Sequence, residues 1–349
     1  MSLQAYLRAA PKAELHVHLE GAIRPSTVLE LARRNDIALP DTTLDGLRDW
    51  FRFRDFRHFV EVYGVVSRCL RTPEDFELVA YELAAELAEQ NCRYAEVGFT
   101  PSFHSREGVA DATYLRGLGR ARDRARETLG VEIAWVFDIS RSMRGGETET
   151  MRWADYTVGV TIDAMADGVT AIGLGGPEVG HPPEAFARFF DRARAAGLHS
   201  YPHAGEHVGI RGALTALGAE RVAHGVRAIE DPELVSHLIA HGIALDVCPT
   251  SNVRLGVYPS LGDHPLARLH ALGVAVTVSS DDPALFETTL NDEVATLADP
   301  FGLPVAAIDG ILLNGLRYSF LPEPRKRQLE ATYRAELHRL KALASQSPG

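Results

Sequence analysis

The chain has 349 residues, 46% of them hydrophobic and 24% charged, with a formal net charge of −11. That is a soluble globular composition, and its acidic balance argues against nucleic acid or an anionic membrane as partner. No apolar run approaches the about 20 residues of a membrane span, and the first residues, Met1-Ser2-Leu3-Gln4-Ala5-Tyr6, lack the basic and apolar segments of a signal peptide.

Three scattered cysteines, Cys69, Cys92 and Cys248, speak against a disulfide framework and a Cys-based zinc site. They fit a reducing, cytoplasmic setting. The first stretch with chemistry is Ala13-Glu14-Leu15-His16-Val17-His18-Leu19-Glu20-Gly21. On a strand, His16 and His18 share a face, because successive side chains alternate. A helix is predicted from Arg24 to Asn35, and Pro40 to Thr43 make a break. The segment Trp50 to Tyr63 carries Phe51, Phe53, Phe56 and Phe59. Core packing of a surface helix is its preferred reading, with a lid over a pocket as the other.

Helix and strand then alternate. Predicted helices cover Pro73 to Asn91, Ala112 to Leu129, Glu147 to Met165, Pro183 to Ala196, a stretch ending at Leu217, Pro232 to His241, and Pro265 to Leu272. Predicted strands cover Arg93 to Thr100, Val131 to Ile139, Val169 to Leu174, Leu198 to His203, Arg221 to Gly225, Ile243 to Val247, and Val274 to Val278. With the opening strand this makes eight strands separated by helices. The pattern points to a single-domain (β/α)8 barrel over residues 1–349, with extra helices after the first strand and at the C-terminus. The tail Ser345 to Gly349 is expected to fray.

Groups that bind metals or move protons recur where these strands stop: His16, His18, His203, Glu206, His224, Asp281 and Asp282. In a closed barrel the carboxyl ends of all strands meet at one face. His16, His18, His203 and Asp281 are the expected ligands of one Zn2+ per chain, with a position left for water. Such an ion lowers the pKa of water from about 15.7 toward roughly 7. Glu206 is placed to move protons, His224 to orient water or stabilise charge, and Asp282 to meet substrate. His237, His241, His264, His270 and His338 read as solvated or packed, and His104 and His207 are left outside the site. Gly173-Leu174-Gly175-Gly176 lacks the spacing of a phosphate loop.

Taken in order, His16-Val17-His18-Leu19-Glu20-Gly21-Ala22, His203-Ala204-Gly205-Glu206, His224-Gly225, Ser280-Asp281-Asp282-Pro283 and Ser319-Phe320-Leu321-Pro322-Glu323 resemble the adenosine deaminase family of the amidohydrolase superfamily. The resemblance implies hydrolytic loss of the 6-amino group from an adenine ring. It implies zinc at the four ligand positions, a proton shuttle from Glu206 to N1, and support of hydroxide by His224. Asp282 would hold N7, and the Gly176 backbone would meet N3. The family's carboxylate near the ribose falls at Glu20, where adenosine deaminases carry Asp. Glu20 resembles adenine deaminases, and Gly173-Leu174-Gly175-Gly176-Pro177-Glu178 resembles relatives acting on aminodeoxyfutalosine, a modified adenine nucleoside.

The cytosine-deaminase signature of His-x-Glu and Pro-Cys-x-x-Cys is absent from the sequence. The leading expectation is an adenine nucleoside substrate such as adenosine, with aminodeoxyfutalosine or free adenine as the alternative. A hydrolase of another bond, or a silent purine-binding relative, ranks lower. The partner is thus a small purine nucleoside or base, and monomer and homo-oligomer fit equally.

Overall fold

The computed structural model describes residues 1–142 and 144–345. Eight parallel strands run in sequence order: β1 Lys12–His18, β2 Cys92–Phe99, β3 Glu132–Ser140, β4 Val169–Gly175, β5 His199–Ala204, β6 Arg221–His224, β7 Ala244–Val247 and β8 Val276–Val278. Helices separate them, as the alternating pattern requires, and pack on the outside of a (β/α)8 barrel. Between β1 and β2 stand four helices, Pro25–Arg34, Leu44–Phe51, Phe56–Arg68 and Pro73–Glu89. After β8 the chain adds Leu290–Ala298, Val305–Arg317 and Glu323–Ser345. Residues 346–349 of the tail expected to fray lie outside the described residues. Among the described residues, no helix is long and apolar enough to cross a membrane.

Local chemistry explains where elements start. The Pro73–Glu89 helix opens on a capping box in which Thr72 and Asp75 each satisfy the other's backbone N–H, with Pro73 at the first helical position. Asp231 caps the Pro232–His241 helix, and Gly242, at φ 62°, ends it. The barrel closes beyond the last strand. His18 N–H donates to Asp281 O at 2.8 Å and Asp281 N–H to His16 O at 2.9 Å. The seam of the barrel is therefore also the place where three expected metal ligands meet.

Inside the barrel Arg221 is buried between Glu96 and Asp246, its Nε 2.5 Å from Asp246 Oδ2, with the Tyr201 and Phe320 rings on its guanidinium. Burial opposes its charge, but the two carboxylates outweigh burial and raise its pKa. Phe320 comes from the tail segment, and its N–H donates to Glu96 Oε1 at 2.5 Å. The C-terminal extension is thereby tied to the barrel interior.

Glu293, on the Leu290–Ala298 helix, is fully buried and accepts from Thr288 Oγ1 at 2.6 Å and Thr250 N–H at 3.2 Å. Burial pushes its carboxyl up from 4.5 to about 7. Within that window the folded state keeps a proton that the unfolded chain releases, so stability falls as pH rises through it. The variant Glu293→Gln offers an acceptor to Thr250 N–H and a donor to the Thr288 hydroxyl, which can turn to accept it. Urea denaturation is expected to show the variant gaining stability over the parent between about pH 5 and about pH 8, by on the order of 3 kcal/mol. Parallel pH dependences for the two proteins would overturn this.

Candidate active site

Four donor atoms converge at the carboxyl end of the barrel. His16 Nε2 and His18 Nε2 each lie 3.1 Å from His203 Nε2. Asp281 Oδ1 lies 3.3 Å from His16 Nε2 and 3.4 Å from His18 Nε2. Ligands at 2.0–2.1 Å around a tetrahedral zinc ion stand ~3.3 Å apart. The donor set therefore fits a borderline cation such as Zn2+ in both spacing and chemistry. His224 is also within 4.8 Å of His16, His203 and Asp281. Its Nε2, however, stands 3.7 Å from Asp281 Oδ2, so His18 is the better fourth donor.

Neighbouring groups aim these ligands. His16 Nδ1 lies 3.4 Å from Asp246 O, and a carbonyl only accepts, so the ring proton sits there and Nε2 keeps its lone pair. Ser251 Oγ donates to Asp281 Oδ2 at 2.6 Å, leaving Oδ1 to the imidazoles. Asp138, at the end of β3, lies 3.5 Å from His18 Nδ1. Burial opposes a charged His18, yet Asp138 and Asp281 outweigh it and raise the pKa, a field that would equally hold a cation. His203 goes the other way, lowered by burial and by the three imidazoles around it.

Two glycines make room for this arrangement. A Cβ on Gly98 would stand 2.6 Å from His18 Nδ1, and one on Gly21 would stand 1.7 Å from Asp282 Oδ1. His224 and Asp281 themselves take left-handed backbone angles, φ 64° and φ 65°.

Glu206, His224, Asp282 and Gly176 line the same cleft as His18, His203 and Asp281. The loop bearing Glu206 is pinned by Glu178, which accepts from the N–H groups of Glu206, His207 and Val208 at 3.3, 2.8 and 2.8 Å. Burial raises the Glu206 pKa, but the His224 and His207 imidazoles outweigh it and hold the carboxyl below its ordinary value. Asp282 shows the reverse: burial first, then the Asp281 charge, push its carboxyl well up. Two carboxylates in one cleft are thus pushed in opposite directions, a pattern suited to acid–base work.

The cleft has a volume of about 140 Å³. Phe56, Phe59, Val60, Tyr63 and Phe103 stand on its wall. This corrects the core-packing expectation for the Trp50 to Tyr63 segment. Phe51 is core, whereas Phe56 and Phe59 sit on the face of the Phe56–Arg68 helix that the barrel mouth leaves open. Phe59 also stacks on Phe286 at 5.5 Å.

Glu20 is placed differently from the expected substrate contact. It is fully buried in a single 3-10 turn, Glu20–Ala22, behind the cleft wall. Its Oε1 accepts from Thr100 N–H at 3.1 Å and lies 3.0 Å from His104 Nε2, and its Oε2 accepts from Tyr63 OH at 3.1 Å. His104 is thus the partner of Glu20. His207 lies 3.4 Å from Glu206, and His264, read as merely packed, bonds Asn252 beside the cleft at 3.0 Å. The sequence pattern does not single out Asp138, Glu178, Ser251 or Asn252. Asp138 nevertheless stands near the end of β3 and Ser251-Asn252 just beyond β7, positions equivalent to those of the ligands.

A (β/α)8 barrel with a buried three-histidine, one-aspartate group at its mouth defines the amidohydrolase class. The family model described as "Adenosine deaminase" matches residues 11–334, and the chain belongs to the adenosine deaminase family of that superfamily. It is 41% identical to an aminodeoxyfutalosine deaminase of Streptomyces avermitilis over 94% of this chain and 92% of the relative. The crystal structure of an adenine deaminase from Arthrobacter aurescens matches with TM-score 0.87 and 34% identity, covering 95% of this chain and 98% of that one. A Zn-bound amidohydrolase from Burkholderia ambifaria matches with TM-score 0.90 and 26% identity, over 99% and 96% of the two chains.

Proposed function

We propose that the chain hydrolytically removes the exocyclic amino group of an adenine ring, with Zn2+ held by His16, His18, His203 and Asp281. The observation that carries this is the convergence of that donor set with Glu206, His224 and Asp282 in one cleft. When bound, the ion supplies Lewis-acid activation of water at neutral pH. Glu206 takes a proton from the attacking water and delivers it to ring N1 as the oxygen adds to C6; the C6–N bond then breaks, and the amino group leaves as ammonia with the remaining water proton. His224 donates a hydrogen bond to that oxygen. Asp282, whose carboxyl burial and then the Asp281 charge push up, donates to N7 in this reading, and its Oδ1 has no partner among the described residues. The Gly176 backbone meets N3 from the opposite wall.

The substrate we propose is an adenine carrying a bulky substituent, with aminodeoxyfutalosine as the candidate. Support comes from the relative at 41% identity and from the aromatic wall of the cleft, which offers apolar surface to a substituent. Free adenine is the second reading, favoured by the adenine deaminase neighbour. Both are better supported than adenosine. Glu20 shapes this wall through Tyr63 and His104 and does not touch the ligand.

Zinc-loaded protein incubated with aminodeoxyfutalosine, adenine, adenosine and deoxyadenosine is expected to change the absorbance of the first at least ~10-fold faster, by kcat/KM, than that of adenosine. Free adenine or adenosine as the best substrate would overturn the argument for a bulky substituent. No change with any of the four would overturn the deaminase reading.

A further inference from the structure

Two buried side chains behind the catalytic pair have so far no role in the reaction, Asn252 and His264. Asn252 is fully enclosed on the short Pro249–Arg254 helix. Its Nδ2 lies 3.2 Å from His224 Nδ1 and 3.4 Å from Glu206 Oε1, and its Oδ1 lies 3.0 Å from His264 Nε2.

The direction of every hydrogen bond in this chain of contacts is set from its far end. Leu266 N–H donates to His264 Nδ1 at 3.2 Å. A backbone N–H has only a donor to offer, so Nδ1 carries the lone pair. Burial and the nearby His224 hold the His264 ring down to about 3; it is neutral at pH 7, and its one proton sits on Nε2. That N–H faces the Asn252 side chain, so the atom it meets is the amide oxygen. The other side gives the same answer independently, because the Glu206 carboxylate is an acceptor and requires the NH2 end. An amide NH2 cannot accept. His224 Nδ1 must therefore be the acceptor, and the His224 proton belongs on Nε2, which stands 3.8 Å from Glu206 Oε1 and 3.7 Å from Asp281 Oδ2.

We propose that Asn252, oriented by His264, is a positioning residue that fixes His224 in its Nε2–H tautomer and restrains the Glu206 carboxylate. His224 then presents a donor, never a lone pair, to the oxygen that attacks the ring. This deepens the deaminase reading and rests on it for the identity of that oxygen.

The first test is the 15N spectrum of histidine-labelled, zinc-loaded protein, in which His224 and His264 are both expected to show a protonated Nε2 and an unprotonated Nδ1. The second is Asn252→Asp, which keeps the shape but puts an acceptor opposite His224 Nδ1. His224 is expected to switch to the Nδ1–H form, and kcat to fall by on the order of 10²-fold with KM within ~3-fold of the parent. A parent spectrum with His224 protonated on Nδ1, or a variant with parental kcat, would overturn the proposal. If the variant does not fold, the parent spectrum alone decides. If the parent turns over no purine, the deaminase reading fails while the spectrum still judges the tautomer.

Discussion

Glu206→Gln is expected to lower kcat by at least ~10²-fold, the usual scale for losing a general acid–base group. The amide has the same shape, and its oxygen can still accept from Asn252 Nδ2, which lies 3.4 Å from the Glu206 carboxylate. The N–H groups that hold the loop bond to Glu178, not to the Glu206 side chain. Folding and metal content should therefore match the parent, since Glu206 is outside the donor set. What disappears is the ability to take a proton from water and release it to a ring nitrogen. Steady-state kinetics with the best substrate, alongside a melting curve and metal analysis, checks this. Turnover near the parental rate would remove Glu206 from the mechanism.

The largest effect should follow removal of the metal. Chelation and dialysis are expected to reduce activity to background and to lower the melting temperature by several degrees, with both restored by Zn2+. Four donor atoms within 3.4 Å of their neighbours, on buried or half-buried side chains, are held together in the fold but scattered in the unfolded chain. A cation that binds only the folded form stabilises it by about 4 kcal/mol at a thousandfold excess over Kd. Calorimetry of stripped and reloaded protein measures the shift. Equal activity and equal melting in the stripped protein would sink the metal assignment.

Much of the barrel is legible in the sequence because its signals are local. Each strand is a short apolar run, and at the ends of β1, β5, β6 and β8 stands a polar group that faces the mouth. His16, His18, His203, His224, Asp281 and Asp282 were found that way. What lies behind them was hidden because its contacts span the chain. Glu20 turns toward Tyr63 and His104, 43 and 84 positions away, and nothing in its own neighbourhood says which way the carboxylate points. His264 reads as a packed histidine until Asn252 is folded against it. Phe56 and Phe59 were assigned to the core because an i,i+3 aromatic stripe looks the same whether it faces a helix or an open cleft. The difference is made by where the barrel mouth leaves space.

The left-handed backbone at His224 and Asp281, φ 64° and φ 65°, has a consequence for how this sequence can evolve. A residue with a Cβ in that region gives up on the order of 1 kcal/mol relative to an ordinary conformation, whereas glycine gives up almost nothing. Glycine at either position would relax the main chain and delete the imidazole or the carboxylate. At Asp281 that relief is smaller than the stabilisation a bound cation brings, and at His224 it would leave Asn252 without its imidazole partner. Stability and turnover therefore hold both side chains in place together, and the strain persists as a standing cost of the site.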